Sequence, residues 1–133
     1  MKIVYAYVCG DILHEGHLLF LENAKALGDK LIVGVLTDEA VMEKKARPAL
    51  SFRERVKLIS ALKCVDCAVP QNEYSPIENL KAIQPDITIE STSHIGNPYL
   101  KKLKKALPNG RIIMLPYYKN QSSTAIKNRI KKQ

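Results

Sequence analysis

Two unbroken apolar runs, Ile3 to Val8 and Leu31 to Leu36, constrain this chain more than any other feature. Strands without polar alternation are the form expected when helices cover both faces of a parallel sheet. Between them, Leu18 to Leu27 has helical periodicity and is closed by Gly28 as a C′ residue. The unit is strand–helix–strand, the opening half of a doubly wound fold. The rest continues the alternation. Thr37 or Asp38 caps a short helix through Glu43, and Lys44 to Pro48 forms a mobile basic loop. A capping box at Ser51-Phe52-Arg53-Glu54 opens a helix to about Leu62, and Cys67-Ala68-Val69 forms a third strand. A second box, Ser75-Pro76-Ile77-Glu78, opens a helix to Ile83. Strand four is Ile87 to Glu90, a helix covers Tyr99 to Leu107, strand five is Arg111 to Leu115, and a last helix runs from the serines at 122–123 to about Lys132. The expected fold is α/β, a single Rossmann-like doubly wound domain over residues 1–133 with a five-stranded parallel sheet.

In such sheets ligands bind beyond the carboxyl ends of the strands, where strand order reverses. There this chain places Asp11-Ile12-Leu13-His14-Glu15-Gly16-His17. A strand ending in Cys9-Gly10 that feeds a helix presents free N–H groups and a positive dipole end to an anion. His14 and His17 can both donate to that anion, and Gly16 lets a ribose or base lie close to the backbone. Asp11 either binds metal or holds the turn by accepting backbone N–H bonds.

Composition narrows the partners. With 133 residues, 46% apolar and 26% charged, the chain is sized for one core. No apolar run approaches the ~20 residues that span a bilayer, and Met1-Lys2 leads directly into a strand pattern, so the expectation is a cytoplasmic protein without membrane insertion. The net charge of +8 raises nucleic acid as a partner. Its distribution answers otherwise: Lys101, Lys102, Lys104 and Lys105 interleave with Leu100, Leu103 and Leu107 as on a solvated helix face. No nucleic acid is expected, and the charge suits small anionic substrates. Cys64-Val65-Asp66-Cys67 has CxxC spacing, but with Cys9 the only other thiol it cannot complete a Cys₄ zinc site, and reduced structural cysteines are expected.

The His14-Glu15-Gly16-His17 arrangement resembles the His-x-Gly-His signature of the nucleotidyltransferase superfamily. Gln121-Ser122-Ser123-Thr124-Ala125-Ile126-Lys127 resembles its second signature, a Ser/Thr-rich helix start that holds the triphosphate. The similarity extends over essentially the whole chain and is closest to the small cytidylyltransferases. Val33 to Ala40 and Arg47 to Arg55 look most like the branch that activates phosphonates such as 2-aminoethylphosphonate, beside those acting on glycerol 3-phosphate or phosphocholine and phosphoethanolamine.

The resemblance implies transfer of CMP from CTP to a small anionic acceptor with release of pyrophosphate, Mg²⁺ shielding the triphosphate and a homodimeric assembly. His14 and His17 would stabilise the α-phosphoryl oxygens, with Cys9, Gly10, Asp11 and Gly16 along the nucleotide. Ser122, Ser123 and Thr124 would bond the β- and γ-phosphates; read alone, they are an ordinary N-cap. Lys44 would close over the acceptor or triphosphate, with Lys45 and the loop residue His94 toward the acceptor. Lys63 is a further cation for the same cleft. Lys44 and Lys45 read equally well as a solvated pair. The family's usual stretches after strand four and before the serines are replaced by Glu90-Ser91-Thr92-Ser93-His94 and Tyr117 to Gln121, and Val8-Cys9-Gly10-Asp11 lacks the usual Gly-x-Phe-Asp form. Base and acceptor therefore stay open between this reading, an adenylyltransferase and a non-catalytic nucleotide-binding regulator.

Overall fold

The computed structural model describes residues 1–92, 98–116 and 123–132, the side chains of 123–125 excepted. The elements are β1 (Ile3–Val8), α1 (Glu15–Lys25), β2 (Lys30–Leu36), α2 (Asp38–Met42), α3 (Phe52–Ser60), β3 (Cys67–Gln71), α4 (Ile77–Ile83), β4 (Ile87–Ser91), α5 (Leu100–Ala106), β5 (Arg111–Leu115) and α6 (Ser123–Lys132). The five strands form one all-parallel sheet in the order β3-β2-β1-β4-β5, so strand order reverses between β1 and β4. This is the expected doubly wound architecture.

Alternation along β1 divides the interior into two layers. Val4, Ala6 and Val8 face a core with Phe20, Leu21 and Ala24 of α1 and Ile59 of α3. Tyr5 and Tyr7 face the other, with Ala40 and Val41 of α2, Leu80 of α4 and Leu103 of α5. The lysines of α5 are exposed around buried Leu103 and Leu107, as the pattern required. No helix among the described residues is long and apolar enough to cross a membrane.

Several local expectations are corrected. The first helix starts at Glu15 rather than near Leu18, because His14 supplies the cap. It ends at Lys25 with Ala26 as C-cap, so Gly28 is not its C′ residue. Gly28 is needed for close approach instead: a Cβ there would lie 2.6 Å from Val4 Cγ2 and 2.9 Å from the Lys2 carbonyl. The box at Ser51 is half formed: Ser51 Oγ accepts from Glu54 N at 3.2 Å but donates to the Glu54 carboxylate. The Ser75 box does not form. Pro76 takes the N-cap position without a side-chain bond, and Ser75 Oγ accepts only from Ile77 N at 3.3 Å. Pro76 stands at φ −81° and ψ 0°, and its carbonyl accepts from Leu80 N at 2.9 Å. β3 extends to Gln71 through Pro70, tolerated because β3 is an edge strand. For the same reason Cys67 is exposed rather than interior; it, Cys64 and Cys9 are free thiols.

Gly34 in β2 carries a specific constraint. A Cβ there would fall 1.9 Å from Tyr5 Oη and 2.8 Å from Gln71 Oε1. The Tyr5 hydroxyl, fully buried, donates to Gln71 and accepts from Asn79 Nδ2 at 3.0 Å. Gly34→Ala is expected to destabilise the protein by about 2–4 kcal/mol, from overpacking plus broken hydrogen bonds. Urea titration checks this, and adding Tyr5→Phe should recover part of the loss.

Candidate functional site

The turn after β1 uses two left-handed residues, Gly10 at φ 71° and Ile12 at φ 56°. For a β-branched residue that conformation costs about 1–3 kcal/mol and persists only where neighbours enforce it. Asp11, between them and buried, does so. Its two carboxylate oxygens accept from Ala49 N and Leu50 N, each at 2.9 Å, and Lys127 Nζ of α6 donates to it as well. Burial would raise the Asp11 pKa, but Lys127 and the two backbone donors hold it below the ordinary carboxylate value. The carboxylate thus joins the first turn to the loop before α3 and to the last helix. The turn-holding alternative describes it.

The histidines form the cap of α1 themselves. His14 Nδ1 accepts from Gly16 N at 3.0 Å, and His17 Nδ1 accepts from the His14 backbone N–H at 3.3 Å. This is a reciprocal capping arrangement built from imidazoles. A neutral ring that accepts at Nδ1 carries its proton on Nε2, so both rings are set as Nε2–H donors. Their centroids lie 4.0 Å apart, tilted by 46°. Burial, with His14 beside it, pulls the His17 pKa down to about 4; burial also lowers that of His14. Near neutral pH both rings are therefore neutral donors at a helix start.

Stability should follow the imidazole. Between the ordinary value of 6.5 and about 4, the unfolded chain holds more protons at His17 than the native state does. Stability is then full above pH 6.5 and lost progressively toward pH 4, while Asp11 adds its own loss only below its ordinary 3.8. Thermal melts from pH 7.5 to 4.5 should show Tm falling through this window, and His17→Asn should flatten the fall. A flat wild-type profile would contradict neutral, cap-bonded rings.

A residue outside the expected set holds the frame. Arg55 of α3 is fully buried. Its guanidinium donates to the Cys9 carbonyl at 2.7 Å, the Leu36 carbonyl at 2.6 Å, the Leu50 carbonyl at 3.3 Å and Asp38 Oδ1 at 2.7 Å. It clips the carboxyl ends of β1 and β2 to each other and to the start of α2. The signal was an arginine four residues before Ile59, on the apolar face of an amphipathic helix.

The other expected residues divide. Cys9, Gly10, Asp11, His14, Gly16 and His17 share the β1 turn and the start of α1. Of the loop lysines, Lys45 is near enough for its charge to act on Cys9 and His17; Lys44 is exposed beyond the end of α2. Burial raises the Cys9 thiol pKa. Lys63 is not brought in. It is exposed in the turn before β3, and the parallel register places that turn at the amino edge of the sheet, opposite the histidines. Ser122 and His94 lie outside the described residues. Ser123 and Thr124 open α6, with their side chains outside the description. Lys127 on Asp11 nonetheless brings α6 against the first turn across 116 residues of sequence. Also missed was a cluster of Glu90, Tyr7 and Tyr99 beside Cys9, which depends on strand pairing that no local pattern records.

A family model described as cytidylyltransferase-like matches residues 8–129. The chain is 36% identical over 138 residues to the bifunctional protein HldE of Helicobacter pylori (strain Shi470), covering 98% of this chain and 28% of that protein. It thus spans little more than a quarter of that relative's length. Among solved structures, the lipopolysaccharide core biosynthesis protein from Thermoplasma volcanium GSS1 superposes with a TM-score of 0.78 at 29% identity, covering 89% of this chain and 98% of the other. Pantoate-beta-alanine ligase from Francisella tularensis, complexed with beta-gamma ATP and beta-alanine, gives 0.61 at 17% identity, with coverage of 98% and 69%, a likeness of fold.

Proposed function

The chain belongs to the cytidylyltransferase-like family of nucleotidyltransferases, and from that premise we propose that it transfers the nucleotidyl group of a nucleoside triphosphate to the phosphate of a phosphorylated sugar. The acceptor's phosphate oxygen attacks the α-phosphorus in line, the bond to the bridging oxygen of the β-phosphate breaks, and pyrophosphate leaves. Catalysis rests on positioning and on donors aimed at the α-phosphoryl oxygens. The observation that carries the reading is the imidazole pair whose Nδ1 atoms are spent on the helix cap, leaving two neutral Nε2–H donors at an anion-binding helix start.

Likeness to HldE and to a lipopolysaccharide core biosynthesis protein supports a sugar phosphate as acceptor, and the HldE likeness favours ATP as donor. A second reading, CTP with a small phosphonate or phosphorylated alcohol, is favoured by the stretches Val33 to Ala40 and Arg47 to Arg55. In either, Lys45 would steer the acceptor's anion, and Ser123 and Thr124 at the start of α6 would hold the triphosphate. Mg²⁺ would arrive on the triphosphate. Among the described residues no group of three His, Cys, Asp or Glu is placed to hold a metal, and both oxygens of Asp11 already accept hydrogen bonds. The homodimer and cytoplasmic location belong to the same reading; light scattering checks the first.

The test is a pyrophosphate-release screen crossing four nucleoside triphosphates with sugar 1-phosphates, glycerol 3-phosphate, phosphoethanolamine and 2-aminoethylphosphonate. Turnover is expected with ATP and a sugar phosphate. CTP with the phosphonate as the sole active pair would select the second reading, and no release above background with any pair would reject both.

A further inference from the structure

Asp11 and Lys127 stand 116 residues apart in sequence, yet the ammonium of Lys127 is bonded to the Asp11 carboxylate. The two ends of the pair differ in their surroundings: the Asp11 side chain is 5% exposed and that of Lys127 35%. A carboxylate removed from water keeps its charge only where donors compensate it. Ala49 N and Leu50 N supply hydrogen bonds, and among the described residues Lys127 supplies the one full positive charge bonded to it. The lysine in turn has no acid near it in sequence, since residues 91–133 carry ten lysines and arginines and no aspartate or glutamate. Its partner has to come from the other end of the chain.

Two effects meet at this pair. The Asp11 charge acts on both His17 and Cys9, so without its counter-ion it would repel a triphosphate from the turn. Lys127 also lies one turn from the amino end of α6, where the first N–H groups of a helix lack partners within it. The pair therefore fixes that helix end against the turn that carries the imidazoles. We propose that Lys127 is a positioning residue for the triphosphate: held by Asp11 rather than by the phosphates, it neutralises the buried carboxylate and keeps the start of α6 and the histidine turn on one nucleotide. This rests on the nucleotidyl-transfer reading above and adds what makes the two ends of the chain act together.

The experiment is binding of α,β-methylene-ATP and of adenosine to the full chain by NMR titration, beside steady-state pyrophosphate release; the cytidine pair replaces them where the screen selects CTP. Lys127→Met should weaken the triphosphate analogue about tenfold and raise the nucleotide KM by a similar factor, with adenosine affinity and the acceptor KM within about twofold. Lys127→Arg keeps the cation and should stay within about threefold of the wild type. Asp11→Asn added to Lys127→Met should bind the analogue no more weakly than Lys127→Met alone, because the charge to be compensated is gone. One measurement needs no variant to fold: in the wild type the scalar coupling across the hydrogen bond from Lys127 Nζ to the Asp11 carboxyl carbon should persist when the analogue saturates the protein.

A folded Lys127→Met that keeps its affinity for the analogue overturns the proposal, and so does an equal loss for adenosine, which would mark general damage to the pocket. A double variant whose loss is the product of the single losses, or a coupling that vanishes on binding, would mean that Lys127 contacts the phosphates directly, and overturns it too. A wild type that binds neither nucleotide nor nucleoside and releases no pyrophosphate rejects nucleotidyl transfer itself, a result distinct from the others.

Discussion

His17→Ala and His14→Ala are each expected to lower kcat by about 10²–10³, equivalent to roughly 3–4 kcal/mol of lost transition-state stabilisation. The two losses should differ in what accompanies them. In the cap His17 only accepts, at Nδ1 from the His14 N–H at 3.3 Å, so its removal should cost modest stability. His14 accepts from Gly16 N at 3.0 Å, and alanine there removes the cap, worth about 1 kcal/mol. His14→Asn separates the roles. Asparagine is a good N-cap but has no donor where Nε2 stands, so this variant should keep most of its Tm while kcat falls as in His14→Ala. Rapid-quench turnover with saturating substrates, beside thermal melts, provides the check. A folded double mutant with undiminished kcat would remove both imidazoles from the mechanism.

Arg55→Met should cost about 3–5 kcal/mol, the penalty for removing one partner from a buried charge network. The stranded groups are specific. Carbonyls of Cys9, Leu36 and Leu50 would lose their guanidinium donor and Asp38 its 2.7 Å ion pair, with Arg47 only a distant substitute at 3.8 Å. Arg55→Lys should be intermediate, since one ammonium cannot fork between two strand ends and a carboxylate. Because the clip sets the spacing of Cys9 and Leu36, variants that fold should also raise the nucleotide KM. Chemical denaturation gives the stability, and an Arg55→Met protein as stable as wild type would contradict the account.

What could be read from the chain alone was whatever is written locally. The buried runs of β1 and β2, the helices alternating with strands and the glycine-flanked histidines each depend on neighbours within a few residues, and from them follow the parallel sheet and the edge on which the turn lies. What escaped depends on pairings across the fold. Arg55 is understood only once β1, β2 and α2 converge on it, and Glu90 only once Tyr7 stands level with it in the next strand. α1 starts three residues before the apolar pattern begins, because the His14 imidazole caps it and the His17 imidazole completes the box. Lys63 reads as a further cation for the cleft, whereas the direction of β3 puts it at the opposite edge. The Ser75 box matches in letters, but the helix starts one residue on, at Ile77, with Pro76 in the cap position.

The most direct test of the central claim is the ¹⁵N NMR spectrum of the two imidazoles at pH 7, alone and with a non-hydrolysable nucleoside triphosphate. Both rings should appear as neutral Nε2–H tautomers, with Nδ1 as hydrogen-bond acceptor, and the Nε2–H signals should shift on nucleotide binding while the Nδ1 signals hardly move. Nδ1–H tautomers, or Nε2–H signals unmoved by saturating nucleotide, would contradict it.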